Sequence, residues 1–480
     1  MNRVLTLLIL FLAFTSTGQI AFYNTYTGSA FDEGQGITQL PDSSYATTGS
    51  SAAFSELSGQ AYLMLVDSLG NHLWTKSYGG LGSDWGRRVF HKPGIGFVIA
   101  GYTNSTANGS FNFYIIETDE SGDLISENNF GTTGWERLWD AVMLEDEGLL
   151  LVGETEGEDS ELKDMYLART DSQGDTIWTK TISTPYDDVA YAVELINDTT
   201  VVIGGDSWEI DKPQGTIINM HINGDINWQT YFGDTVETGI RDIKYFNNNL
   251  YAGGYIIPIG KADWDFWGLK TDMSGVFVKD FTSDLAGTDY VSSVAVKNVG
   301  GFYLGIISDS PDLDVFSEGT DVFLQKLHTD LYYNFFSEGF SGQSPDYINQ
   351  IINTIDDGIS FVGTCADDRV EPSLGSDVMI VKIGPNDEAE LTADNDNDLV
   401  SIAIFTEDEN FKVYPNPTAD ALFLSESAKG AQYSIYNSLG KQVENGYLGS
   451  SIDVSLFKSG VYHLKVYHNN TYSTVRFIKK

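Results

Sequence analysis

Cysteine is almost missing. Cys365 is the only one in 480 residues, so no disulfide can form within the chain. Its neighbours Phe361, Val362, Gly363 and Thr364 read as strand, and the thiol reads as a small buried hydrophobe. Cationic charge is also scarce: 27 Lys and Arg stand against 68 Asp and Glu, for a net charge of −41. So acidic a body repels phosphate backbones, which argues against nucleic acid as a partner. It suits a saline medium or cations better, and it keeps the chain soluble. No segment is apolar enough to span a bilayer. No window holds a 3.6-residue apolar period, so helices are not the building units. The six histidines are far apart, and there is no HExxH, no GxSxG and no phosphate loop.

What is present begins with a leader. Arg3 precedes an apolar run from Val4 to Phe14, followed by Thr15-Ser16-Thr17-Gly18. A basic start, a short apolar stretch and small residues at −3 and −1 predict a secretory signal over residues 1–18, cut between Gly18 and Gln19.

The chain then repeats. The stretch YLMLVDSLGNHLWTKSYGG from Tyr62 returns as FYIIETDESGDLISENNFG from Phe113 and MYLARTDSQGDTIWTKTIS from Met165, with fainter copies later. Its turn glycines Gly70, Gly122, Gly174, Gly224 and Gly275 are 50 to 52 residues apart. A second landmark, an apolar strand ending at glycine, occurs seven times, from Tyr45–Gly49 to Ile359–Gly363. Each unit holds four short strands separated by Gly, Asp, Asn and Ser turns. Four strands per period of about 50 residues predict an all-β, seven-bladed β-propeller over residues 19–384. The seventh repeat lacks its fourth strand. Phe22-Tyr23-Asn24-Thr25-Tyr26-Thr27-Gly28 matches Trp74 to Gly80, so the first strand of the exported chain is expected to complete the last blade.

Within this frame several residues invite a functional reading. One position is acidic in all seven repeats: Asp32, Asp84, Glu136, Asp187, Glu237, Asp289 and Asp346. Seven carboxylates at one level could gather cations, calcium being the one that such oxygen ligands suit. Alternatively each fixes the turn that enters its blade, which is favoured because unpaired carboxylates at one point repel one another. No other cofactor is expected. Trp74, Trp178 and Trp228 share a repeat position and are read as packing between blades. Trp264 and Trp267 in Asp-Trp-Asp-Phe-Trp break the pattern, and with Trp208 they are the ligand-contact candidates. The segments joining second and third strands differ in length and sequence from repeat to repeat. They share one rim, where a ligand is expected.

These residues resemble the seven-bladed propeller repeats of exported bacterial proteins, a likeness over about residues 20–385 that carries no assigned activity. Quinoprotein repeats have a turn one residue longer, with Thr-Gly. Sialidase Asp boxes come close at Thr176-Ile177-Trp178 without matching. Asp394 to Asp398 alternates like a calcium loop, but Leu399 and Phe405 stand where glycine and the closing Glu belong.

Residues 385–410 read as an acidic linker. From Phe411 onward there are eight Lys and Arg and four Asp and Glu, leaving 19 and 64 in the rest of the chain. That reversal of charge marks a separate C-terminal domain, and its alternating strands predict a small β-sandwich of the immunoglobulin-like kind. Tyr414-Pro415-Asn416-Pro417, the turn at Gly440-Lys441, and Gly460 and Tyr462 in the GVYHLKV strand carry a further likeness. Residues 411–480 resemble the type A C-terminal sorting domain of type IX secretion. That resemblance implies the secretion machinery as partner, passage through the periplasm, and release or anchoring at the cell surface. The whole is read as an exported monomeric propeller that binds a glycan or a surface protein. The alternatives are a carbohydrate-active or quinone-type enzyme working at the channel mouth and a structural part of the surface coat.

Overall fold

The computed structural model describes residues 21–26, 31–52, 59–105, 110–157, 162–208, 212–233, 235–283, 285–297, 301–310, 320–340, 346–366, 376–387, 413–415, 418–424, 430–437, 442–449, 451–458, 460–468 and 471–480. The predicted cut at Gly18 and Gln19 lies outside them, as do Asn416, Pro417, Gly440 and Lys441.

Seven four-stranded antiparallel sheets form the body. In the first blade Asp32–Gln39, Tyr45–Ser51, Gln60–Val66 and His72–Tyr78 pair in sequence order, and the same order returns in the next five. In the seventh, Tyr347–Asn353, Ile359–Ala366 and Ser376–Ile383 are completed by Phe22–Tyr26, with Phe22 opposite Lys382 and Tyr26 opposite Val378. The inner strand of each blade touches the next, and that of blade 7 touches that of blade 1, so the ring is closed. Closure pairs two edges that would otherwise stand open.

Local chemistry explains the blades. Second and third strands are buried on both faces, as in Gly96–Thr103 and Leu149–Glu156, because each sheet is packed between two others. Fourth strands alternate exposed and half-buried residues along the outside, as in Leu124–Phe130. The Asp-x-x-Gly turns between third and fourth strands place glycine at positive φ, +80° at Gly70 and +74° at Gly122. The carboxylate of Asp119 accepts the N–H groups of Ser121 and Asp123, which fixes the turn.

Neighbouring blades are clasped at these turns. The carbonyls of four turn glycines accept a bond from the outer strand of the preceding blade: Tyr26 Oη to Gly70 at 2.6 Å, Tyr78 Oη to Gly122 at 2.7 Å, Asn128 Nδ2 to Gly174 at 3.0 Å and Lys180 Nζ to Gly224 at 2.8 Å.

The C-terminal module has two sheets. One pairs Val413–Tyr414, Ala421–Leu424 and Ile452–Asp453; the other orders Gln442–Tyr447, Gln432–Asn437, Gly460–His468 and Thr471–Lys479. Leu422, Ile435, Val454, Leu464 and Phe477 form its core. Tyr462 stacks on Phe477, with ring centres 5.5 Å apart, and donates to the Lys458 carbonyl at 2.9 Å.

Candidate functional site

Alternation along the strands gives the ring two ends. Inner strands begin, and second strands finish, at one end, called here the upper end. The Asp-x-x-Gly turns lie at the other. Phe22 starts there and Ile383 arrives there, so both chain connections of the propeller are on the lower end.

The acidic position lies at the start of the inner strands. Asp32, Asp84, Glu136, Asp289 and Asp346 hold it, but Asp187 and Glu237 do not. In blade 4 the buried residue of matching register is Asp188, opposite Ser207. In blade 5 it is Thr238, whose hydroxyl donates to the Phe232 carbonyl at 2.7 Å and accepts the Gly215 N–H at 2.9 Å. Asp187 and Glu237 are the preceding, half-buried residues. In five blades the carboxylate accepts from a hydroxyl 19 residues on: Ser51 to Asp32, Thr103 to Asp84, Thr155 to Glu136, Ser207 to Asp188 and Ser308 to Asp289. Asp84 also accepts the Gly80 N–H at 2.9 Å and the Ser105 hydroxyl at 2.8 Å. These carboxylates therefore tie the start of the inner strand to the end of the second strand in their own blades, and Asp84 and Asp188 also accept a backbone N–H from the entering turn. Burial pushes Asp289 up to about 7, opposed by Ser308 and assisted by Asp265 and Asp309. Among the described residues no group of three His, Cys, Asp or Glu side chains could hold a metal ion.

Three residues further in, every inner strand has a β-bulge. The register skips one residue in each: Gln35, Arg87, Trp139, Tyr191, Arg241, Ser292 and Asn349. A bulge releases its residue from the ladder and re-aims it. Here the released side chains meet their counterparts in adjacent blades, which is geometrically open only along the channel. Arg87 donates to Gln35 Oε1 at 2.6 Å, and its guanidinium lies 4.6 Å from the Trp139 ring centre. Trp139 and Tyr191 are 5.3 Å apart, and Arg241 lies 4.0 Å from Tyr191. The chain Gln35–Arg87–Trp139–Tyr191–Arg241 thus lines blades 1 to 5, while Ser292 and Asn349 leave blades 6 and 7 with short polar groups.

The two arginines differ. Arg241 contacts both oxygens of Asp206, at 2.9 and 2.8 Å. Burial opposes its charge, but Asp206 and Tyr191 hold it above its ordinary value. Arg87 forms no ion pair among the described residues. Burial pushes it down to about 10, which leaves it charged at neutral pH. Its Nε and the Trp139 Nε1 are buried N–H groups without a hydrogen-bond partner among those residues.

One step deeper, side chains tie neighbouring blades together at five of the seven junctions. Arg88 Nε donates to Asp140 at 2.6 Å, and Asp140 accepts the Val193 N–H at 2.9 Å. Asp242 accepts the Val294 N–H at 2.8 Å, Ser293 Oγ accepts that of Ile351 at 3.0 Å, and Gln350 Oε1 accepts that of Ile37 at 2.8 Å.

The upper end carries aromatic groups. Trp85 stacks on Tyr102 at 5.9 Å, Tyr102 meets Phe111 at 5.5 Å, and Phe111 meets Trp135 at 5.3 Å; Trp135 is 48% exposed. Trp264 is half-buried and stacked on Tyr255 at 4.2 Å. Trp208 is half-buried, 6.5 Å from exposed Tyr186. Trp267 is not an exposed contact. It is 4% accessible, packs on Phe232 at 6.2 Å between blades and donates to Asp280 at 3.2 Å. Its alternation in Asp265–Asp272 turns it inward, which the run of tryptophans concealed.

The sequence reading missed the bulge ring. Its spacing follows the repeat, but its residue types share no chemistry. The only signal was divergence at one place in an otherwise regular repeat.

Residues 412–480 match the family model of the secretion system C-terminal sorting domain. The C-terminal module is thus a type IX sorting domain. It implies interaction with that secretion machinery and export to the cell surface or beyond. No curated protein matches the chain. Among solved structures, Sqt1 from Chaetomium thermophilum is similar at 12% identity and TM-score 0.42, over 76% of this chain and 99% of that one. Puromycin hydrolase is similar at 12% and 0.45, over 70% and 50%. The Pan2 WD40 domain of Neurospora crassa is similar at 7% and 0.32, over 76% and 94%. The assignment of the fold rests on the sheet order and the closed ring.

Proposed function

We propose that the propeller is an exported binding module whose upper end meets its ligand, a glycan or a surface protein. The 1–18 leader carries it into the periplasm, and the sorting domain carries it out. The observation behind this reading is the asymmetry of the ring. The upper end has the aromatic cluster Trp85–Tyr102–Phe111–Trp135 and the stack Tyr255–Trp264, with joining segments that differ from blade to blade. The lower end repeats one turn and receives both chain connections. Aromatic faces beside polar side chains suit sugars.

The test is a glycan and surface-protein array probed with the mature chain, with Trp135→Ala and Trp264→Ala as variants. Specific binding that these variants weaken supports the reading. Turnover of a polysaccharide or alcohol at catalytic rates would replace it with the enzymatic alternative.

A further inference from the structure

We propose that the channel constriction at the bulge ring binds a carboxylate-bearing sugar, a uronate unit of an acidic glycan, with Arg87 as its receptor and the Trp139 indole N–H as a second donor. This deepens the binding reading and rests on it.

Four observations carry the inference. First, Arg87 is a cation in the channel that forms no ion pair among the described residues, although the chain has 68 Asp and Glu. The other channel arginines have acids at hand: Arg88 pairs with Asp140 and Arg241 with Asp206. Glu33 lies near, but Gln35 intervenes, donating to Glu33 at 3.1 Å and accepting from Arg87. Second, Arg87 Nε and Trp139 Nε1 are buried donors without an acceptor, on adjacent blades at one level. Two donors side by side call for a group rich in acceptors. A carboxylate supplies two oxygens, and charge-assisted bonds to a guanidinium are the strong kind.

Third, the bulge residues of blades 6 and 7, Ser292 and Asn349, are short and polar; Ser292 donates to the Gly305 carbonyl and Asn349 to the Gly34 carbonyl, and their side-chain oxygens can accept from sugar hydroxyls. Fourth, the aromatic cluster from Trp85 to Trp135 stands on blades 2 and 3, the blades that carry Arg87 and Trp139, toward their upper end. A glycan entering at the rim would follow aromatic faces down to the arginine. The acidic body sets a limit. A polymer charged at every unit would be repelled on approach, whereas an isolated uronate is screened beyond about 10 Å at 0.1 M salt.

The experiment is calorimetric titration of the mature chain with three probes: a glucose–glucuronate disaccharide, the same disaccharide with its carboxyl reduced to the alcohol, and a tripeptide carrying one Glu. The uronate is expected to bind at least about tenfold tighter than either other probe. Arg87→Gln is expected to weaken the uronate about 10- to 100-fold and to leave the reduced sugar unchanged. Ser292→Asp, at the bulge of blade 6, adds a repelling charge without touching Arg87 and is expected to weaken the uronate alone. An unchanged melting temperature establishes that each variant is folded. Equal affinity for the uronate and its reduced form, indifference to both substitutions, or a tripeptide that binds as well would overturn the inference, as would no binding of any probe. A neutral glycan that binds at the rim while the uronate probe does not bind would also overturn it, yet leave the binding reading standing.

Discussion

Gly122 sits under the indole of Trp74 from the preceding blade: a Cβ built on Gly122 would lie 2.7 Å from the ring. The same contact joins Gly275 to Trp228, at 2.6 Å, and Gly70 to Phe22, at 2.7 Å. Glycine is thus required twice at this turn, once for its positive φ and once because the neighbouring ring occupies the side-chain space. Gly122→Ala is expected to lower the stability of the ring by about 2–3 kcal/mol. Gly94→Ala, at φ +77° with nothing within 4 Å, is expected to cost about 1 kcal/mol. Urea midpoints of the two variants measure the packing part as their difference, and equal midpoints would remove it.

The strand Phe22–Tyr26 closes blade 7 and reaches across to blade 1, where Asn24 donates to the Gly70 carbonyl at 2.8 Å. Deleting residues 19–28 is expected to expose the edge of Ser376–Ile383, lower the melting temperature and promote association through that edge. Light scattering beside a thermal melt checks this. A truncated chain that melts like the intact one and stays monomeric would show that closure does not need the strand.

Asp289 is held by burial at about 7, far above the ordinary carboxylate value, and Glu194 is likewise raised to about 7 by burial, opposed by Lys244. A raised folded-state value means that the folded chain binds these protons more tightly than the unfolded one. Stability is therefore expected to fall as pH rises from about 4 to 7 on their account, and to level off above. Asp289→Asn removes one such penalty while its amide oxygen can still accept from Ser308. Relative to the natural chain it is expected to gain stability between pH 5 and pH 8, by an amount on the order of 1–3 kcal/mol. Unfolding curves at both values decide it, and a gap that does not widen with pH would count against the assignment.

Asp387 is gripped at the lower end by Lys326 and by the Tyr303 hydroxyl, with Lys297 at 3.6 Å. Lys297 also donates to the Pro385 carbonyl at 3.0 Å. Burial lowers the Lys297 value, and Asp387 opposes that shift. Asp387→Ala leaves two lysines without this partner and is expected to cost about 3 kcal/mol, since a lone charge at a buried site is penalised. Limited proteolysis is expected to cut sooner just after Ile383. An unchanged digestion pattern would show that the grip does not hold this segment.

Much of this architecture is legible along the chain. Seven glycine-ended strands, a turn recurring every 50 to 52 residues and a displaced half-repeat at Phe22 are local patterns, repeated often enough to fix the number of blades and their closure. The C-terminal motifs around Tyr414 and Tyr462 marked the sorting domain in the same way. The site was less legible. The step from Asp187 to Asp188, and from Glu237 to Thr238, is one residue in sequence and a change of face in a strand.

The sequence by itself determined how many sheets there are, in what order their strands run and where the chain is sent, because period and turn chemistry are written in neighbouring residues. Tertiary structure alone decided what faces the channel. A bulge in each inner strand shifts the alternation by one residue, and only pairing across strands and blades brings Arg87, 52 residues from either neighbour, between Gln35 and Trp139.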